Sequence, residues 1–184
     1  QEQVFGAQAF VYHGSQIDPT VLIPALLKNE YEAGSGDMYG KGLYAVYDLY
    51  KWRGDSGEPL ASGKSPTMRG AYGQYIYKLK VNLYGFVIFE PSIAQKVYGR
   101  DLLPSEQLEM LGKKDLAKQI EKVQARRKPT KGSVTSNRAL KSKKILEGKV
   151  RGIVFTGWTD GHVVVVYDAG SVVPVSWRDK KTDK

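Results

Sequence analysis

Two runs near the C-terminal end, Val150 to Thr156 and Val163 to Tyr167, read as apolar strands along their length. A strand without a polar face needs packing on both sides. The fold must therefore place a sheet between two layers. At 184 residues and 41% hydrophobic content, one domain with a real core is expected. Further strands are expected at Phe10 to His13, Leu43 to Asp48, Tyr75 to Leu83, Phe86 to Phe89 and Val172 to Trp177. The third alternates well, with Ile76, Leu79, Val81 and Leu83 on one pattern. Pro19 to Asn29 reads as a helix capped by Asp18, with Pro19 in its first turn and Val21, Leu22, Ala25 and Leu26 apolar. Pro66 to Gln74 is expected as a short helix. Pro104 to Gln124 is expected as a longer one, with Ser105 as its cap and Leu108, Met110, Leu111, Leu116 and Ile120 apolar. A last helix is expected from Ser136 to Glu147. Gly34 to Gly42 reads as a loop, Lys51 to Lys64 as a mobile loop, and Arg178 to Lys184 as a charged tail. Strands at both ends around a central helical block give an α+β class.

Several chemistries are excluded at once. The chain has no Cys, so it has no disulfide, no thiolate nucleophile and no Cys-ligated zinc. His13 and His162 are its only histidines, so no His-rich metal site is expected. No apolar run approaches the ~18 residues a membrane helix needs. The net charge of +9 favours an acidic partner, most obviously nucleic acid. Eight cations concentrate between Arg126 and Lys144: Arg126, Arg127, Lys128, Lys131, Arg138, Lys141, Lys143 and Lys144. They are candidate phosphate contacts, and without aromatic residues among them base stacking is not expected there. The start at Gln1, without Met, suggests a piece of a longer protein or a processed chain.

Three strings carry chemistry: Val11-Tyr12-His13-Gly14-Ser15, Gly40-Lys41-Gly42-Leu43-Tyr44, and His162-Val163-Val164-Val165-Val166-Tyr167-Asp168. Together they resemble the signature of ADP-ribosyltransferases of the poly(ADP-ribose) polymerase and diphtheria-toxin branch. The resemblance implies a split β-fold, two small antiparallel sheets around an NAD cleft, with residues 91–149 as a basic helical insert. It gives His13 a ribose hydroxyl of NAD and Gly14 the nicotinamide amide, through a backbone that no Cβ obstructs. Ser15 adds a hydroxyl to the same nucleotide. Tyr44 takes the ring that lies against nicotinamide, and aromatic stacking on a cationic ring contributes roughly 1 kcal/mol or more. Tyr72 would form the second wall, and Ser65 would bond the carboxamide, with Ser62 and Thr67 as competitors. The spacing from Ser65 to Tyr72 is longer than the family pattern.

The third string departs from the family. The pattern there is Asn-Glu-Tyr-Ile-Val-Tyr-Asp, with a catalytic Glu. Here Val163 or, with one extra residue, His162 falls at that place, and no Glu follows Glu147. Asp160 is the candidate replacement and His162 the second; Asp160-Gly161 also reads as a hairpin turn. Members without the Glu are expected to add one ADP-ribose or none. The implied activity is mono-ADP-ribosyl transfer from NAD, with no metal, to nucleic acid (RNA favoured) or to protein. That chemistry suits a toxin or effector domain acting in a cytoplasm. Delivery within a larger secreted or injected protein would fit, as would an immunity or antitoxin partner. Three alternatives stay open: an NAD glycohydrolase, an NAD-dependent RNA 2′-phosphotransferase, and an inactive module that only binds nucleic acid. The arginine-specific branch, with its Ser-Thr-Ser strand and Glu-x-Glu, finds no match.

Overall fold

The computed structural model describes residues 7–28, 42–47, 74–125, 145–156 and 162–179. In chain order the elements are β1 (Gln8–Ser15), α1 (Pro19–Leu27), β2 (Leu43–Val46), β3 (Tyr75–Asn82), β4 (Val87–Ile88), α2 (Pro91–Tyr98), α3 (Pro104–Met110), α4 (Lys114–Ala125), β5 (Gly152–Thr156), β6 (His162–Val166) and β7 (Val172–Asp179). The α+β class holds. The strands run in the order β4-β5-β6-β2-β1-β3-β7. All neighbours are antiparallel except β4 and β5, which are parallel.

The expectation of two small antiparallel sheets needs correction. One mixed seven-stranded sheet forms, because β1 reaches β2 and ties the two halves together. The tie is slight: among the described residues β1 and β2 share one registered pair, Tyr12 with Val46. Among the described residues no other pair joins β4-β5-β6-β2 to β1-β3-β7.

Each strand alternates its side chains between two faces. On one face Val11, Leu79, Val164 and Val154 join Leu22 and Leu26 of α1 and Ile93 and Val97 of α2 in a core that crosses both halves. On the other face Val165, Ile153, Phe155 and Val87 meet Leu108 of α3 and Leu116 and Ile120 of α4. Among the described residues that second layer lies on the β4-β5-β6-β2 half. The apolar strands β5 and β6 are thus buried on both sides, as their sequences require: Ile153, Val154, Phe155, Val164, Val165 and Val166 are all buried.

The helices differ from expectation in three places. Asp18 caps α1 as predicted, accepting the Thr20 backbone N–H at 2.8 Å. The helix expected from Pro104 to Gln124 is two helices. It breaks at Gly112, whose φ of 81° is a left-handed conformation, while the Lys113 N–H turns back to the Leu108 carbonyl at 2.8 Å. Ser105 is not the cap of α3. Leu103 holds that position, and Glu106 accepts its N–H at 2.7 Å. Helix α2 falls inside the expected helical stretch 91–149 but was given no place of its own there; its glycine end at Gly99, with φ 74°, and Pro91 in its first turn mark it. The described parts of 91–149 pack on the sheet and supply most of the second layer. The helix expected over 66–74 and most of that over 136–147 lie outside the described residues, as do the loops at 34–41 and 51–64.

Candidate functional site

Sheet order brings the three strings side by side. The first lies on β1, the second runs into β2 and the third is β6, and these are adjacent strands. Rows across them follow from the register. Tyr12, Val46 and Val163 form one row. On the β6 side β2 stays fully paired, with Ala45 on Val164, Tyr44 on Val165 and Leu43 on Val166. On the β1 side the ladder stops after Tyr12. His13, Gly14 and Ser15 stay paired to Tyr77, Ile76 and Tyr75 of β3, yet none registers with Ala45, Tyr44 or Leu43. Backbone pairing between β1 and β2 therefore ends between His13–Ser15 and Leu43–Ala45, and this gap is the opening referred to below.

His13 stands at the mouth of this opening. Its ring is buried, and its Nδ1 lies 2.6 Å from the Tyr44 carbonyl oxygen. A carbonyl only accepts, so Nδ1 carries the proton, and in the neutral ring Nε2 is the acceptor. Burial pulls the imidazole below its ordinary value near 6.5, and the bond to the Tyr44 carbonyl pulls against that. Neutral pH leaves His13 uncharged. The side chain thus bonds across the gap where backbone pairing has ended.

Tyr77 backs His13, with ring centres 6.4 Å apart. The Tyr77 hydroxyl donates to the Ile17 carbonyl in the turn after β1. Burial drives that hydroxyl well above the ordinary phenol range, with Asp18 and Tyr75 adding to the shift. Ser15 is used locally: its Oγ accepts the Ile17 N–H at 3.0 Å. The two contacts fix the chain as it leaves the opening for α1.

Tyr44 is half-buried and sits where the cover of α3 and α4 ends, packed against the second core. Tyr167 packs on the same core. Burial pushes the Tyr167 hydroxyl far above its ordinary value, and the Tyr44 hydroxyl and Glu147 carboxylate raise it further. Gly42 permits this closeness: a Cβ there would stand 2.8 Å from the Val166 carbonyl oxygen and 3.3 Å from the Tyr167 ring. The neighbourhood of Tyr167 and Glu147 escaped the sequence reading. The Val-Tyr-Asp end of the third string was its one signal.

His13, Gly14, Ser15 and Tyr44 therefore lie on adjacent strands, with the His13 ring on the α1 face and the Tyr44 ring on the opposite face. His162 begins β6 opposite Thr156, one residue beyond the Tyr12 row, and its side chain lies outside the described residues. Ser65, Tyr72 and Asp160 lie outside them too, as do Ser62 and Thr67. So do the basic residues Arg126, Arg127, Lys128, Lys131, Arg138, Lys141, Lys143 and Lys144. Among the described residues no group of three His, Cys, Asp or Glu could hold a metal, and no helix is long and apolar enough to cross a membrane.

A cavity of about 390 Å³ lies elsewhere, between Tyr84, Lys113, Lys149, Arg151 and Asp168. It contains none of the sequence-predicted site residues. Two of its charged groups have structural partners: Arg151 donates to the Tyr84 carbonyl at 2.6 Å and to Ser171 Oγ at 3.0 Å, and Asp168 accepts the Gly170 N–H at 3.1 Å.

No protein-family model matches the chain, and no curated protein does. Among solved structures it is similar to one titled "Crystal structure of an anti-CRISPR protein", at 10% identity and a TM-score of 0.41, over 95% of this chain and 100% of that one. A superposition that weak does not establish a shared fold.

Proposed function

We propose that the chain is a mono-ADP-ribosyltransferase that takes ADP-ribose from NAD at the opening between β1 and β2. One observation carries the reading. The three strings that resemble the family lie on the adjacent strands β6, β2 and β1, and the ladder fails beside His13, Gly14 and Tyr44. An opened ladder exposes strand-edge backbone groups, which bind a planar amide as readily as another strand. His13 faces the α1 side of the sheet and Tyr44 the other, so in this reading the nucleotide passes through the gap, with the ribose at the neutral His13 and the nicotinamide against the Tyr44 ring.

The chemistry asks little of the protein beyond placement and charge. The bond between the anomeric carbon and the pyridinium nitrogen breaks, and its electron pair leaves with neutral nicotinamide. The acceptor's lone pair then bonds the anomeric carbon, and the acceptor loses a proton. The sugar carries positive charge at the transition state, so a nearby carboxylate lowers the barrier. Asp160 is the proposed carboxylate and His162 the second choice. The row of Tyr44 and the start of β6 are three residues apart along β6, about 10 Å, the scale of a ribose with its base. Ser65 and Tyr72 complete the nicotinamide pocket in this reading. The basic segment at 126–144 and the net charge favour RNA as acceptor over a protein side chain.

The test incubates the protein with NAD labelled in its ADP-ribose, together with RNA, DNA and lysate protein, and follows free nicotinamide in parallel. Label on one acceptor class, lost in Tyr44→Ala and Asp160→Ala, is the expected result. Nicotinamide release without transfer would make the protein a glycohydrolase. No turnover in any pool would reject the enzyme and leave a binding module.

A further inference from the structure

The cavity around Arg151 takes no part in the site described above. Its volume of about 390 Å³ falls within the ~300–1,000 Å³ of small-molecule pockets. Tyr84, Leu111 and Val150 give it an apolar wall, and Lys113, Lys149 and Arg151 line it with positive charge. Arg151 is held in place at several points. Its carbonyl accepts the Tyr167 and Asp168 N–H groups at 2.9 and 3.1 Å, and its guanidinium lies 5.9 Å from the centre of the Phe86 ring. Gly85 leaves room for the stem, since a Cβ there would come 2.9 Å from Arg151 Cδ. The Tyr84 ring is backed by Tyr98, with centres 5.4 Å apart, and the Tyr98 hydroxyl accepts the Gly85 N–H at 3.2 Å.

A guanidinium has five N–H donors. Arg151 uses one on the Tyr84 carbonyl and one on Ser171 Oγ, which leaves three. Among the described residues no carboxylate pairs with it. Asp168 instead accepts from the Gly170 N–H and the Ser171 hydroxyl. Lys113 stands in the turn between α3 and α4, and Lys149 in the turn before β5, where its N–H bonds the Leu146 carbonyl at 2.9 Å. Neither ammonium has a partner among the described residues. A half-buried guanidinium with donors to spare, flanked by two ammonium groups, is suited to an anion with several acceptor oxygens.

We infer that this cavity binds a small organic phosphate, a monoester with both charges on one phosphoryl group. Three cations less the Asp168 carboxylate leave a net charge of +2, which matches that dianion and exceeds what a single carboxylate would meet. A bare phosphate would fill a small part of the space. The remainder, walled by Tyr84, Leu111 and Val150, takes the organic body of the ester. The inference does not rest on the transferase reading. The phosphates of NAD are diesters with one charge each, and the opening between β1 and β2 is lined by other residues.

The test is isothermal titration calorimetry of the full chain, without NAD, against AMP, adenosine and inorganic phosphate, above about pH 7 where the monoester is dianionic. AMP is expected to bind at one site per chain, inorganic phosphate more weakly, and adenosine not at all. Lys113→Ala and Lys149→Ala change exposed residues, so folding is not at risk. Each is expected to weaken AMP by roughly fivefold, the scale of an exposed ion pair. Lys122→Ala, on α4 outside the cavity, is expected to change nothing. An excess of NAD is expected not to displace AMP. Equal losses in all three lysine variants would reduce the binding to general charge attraction and overturn the inference. So would displacement by NAD, AMP binding no better than inorganic phosphate, or no binding of either. AMP binding here in a protein that never turns over NAD would reject the transferase and keep the cavity.

Discussion

The two halves of the sheet meet at Tyr12 and Val46 and live under different rules. The half β4-β5-β6-β2 is packed on both faces, and its interior strands show almost no polar surface. The half β1-β3-β7 is packed on one face by α1, and among the described residues no helix covers the other, although Ile76 there is buried. The first half is built like a core, where any change in volume is felt. The second tolerates cations, exposed rings and a broken ladder, which is what a ligand surface needs. The candidate site lies where the two meet, so the half packed between two layers positions Tyr44 while the other presents His13 and Gly14.

The comparison breaks most visibly at Phe86. Its ring is fully buried beneath Arg151 and joins the core that spans the sheet. Phe86→Ala should cost about 3–5 kcal/mol in urea unfolding. Next comes Gln107, a buried amide in α3 that accepts the Ile88 N–H at 2.7 Å and donates to the carbonyls of Ile88 and Leu102 at 2.8 and 3.0 Å. Gln107→Leu would strand those groups and should cost about 1–3 kcal/mol, read as a lower thermal midpoint.

His13 sharpens the comparison at the boundary. Its folded value lies below the ordinary 6.5, so the unfolded chain binds more protons below that pH. Stability should therefore be complete above about 6.5 and fall as pH drops through the folded value. The slope from one such proton cannot exceed about 1.4 kcal/mol per pH unit. His13→Gln should flatten this part of a pH series of denaturation midpoints; an unchanged slope would mean that His13 is not buried neutral. The smallest effect belongs to the face of β1-β3-β7 that α1 does not cover, where Phe10 is 47% exposed. Phe10→Ser should alter stability by no more than about 0.5 kcal/mol, and a large loss there would show that this face is a core after all.

The sequence made some of this legible. Strands β5 and β6 declared their two-sided burial through unbroken apolar runs, and α1 declared its start through Asp18 and Pro19. The break between α3 and α4 was hidden because Leu108, Leu111 and Leu116 keep a helical rhythm across Gly112, and periodicity alone does not mark a left-handed residue. The join between the half-sheets was hidden because one pair, Tyr12 with Val46, makes it, and pairing between strands that far apart leaves no local trace. His13, Gly14 and Tyr44 were legible as motifs. The bond from His13 to the Tyr44 carbonyl was not, since it depends on where backbone pairing ends. The polar side of β3 was in view as the alternation of Lys78 and Lys80 within Tyr-Ile-Tyr-Lys-Leu-Lys, yet only the register with Phe10 and Tyr12 shows which residues share it.

Backbone hydrogen exchange of the full chain with and without NAD tests the central claim most directly. The account predicts added protection at His13, Gly14 and Ser15 and at Leu43, Tyr44 and Ala45, with β4 and β5 unchanged. Protection confined to the cavity around Arg151, or none anywhere at saturating NAD, would contradict it.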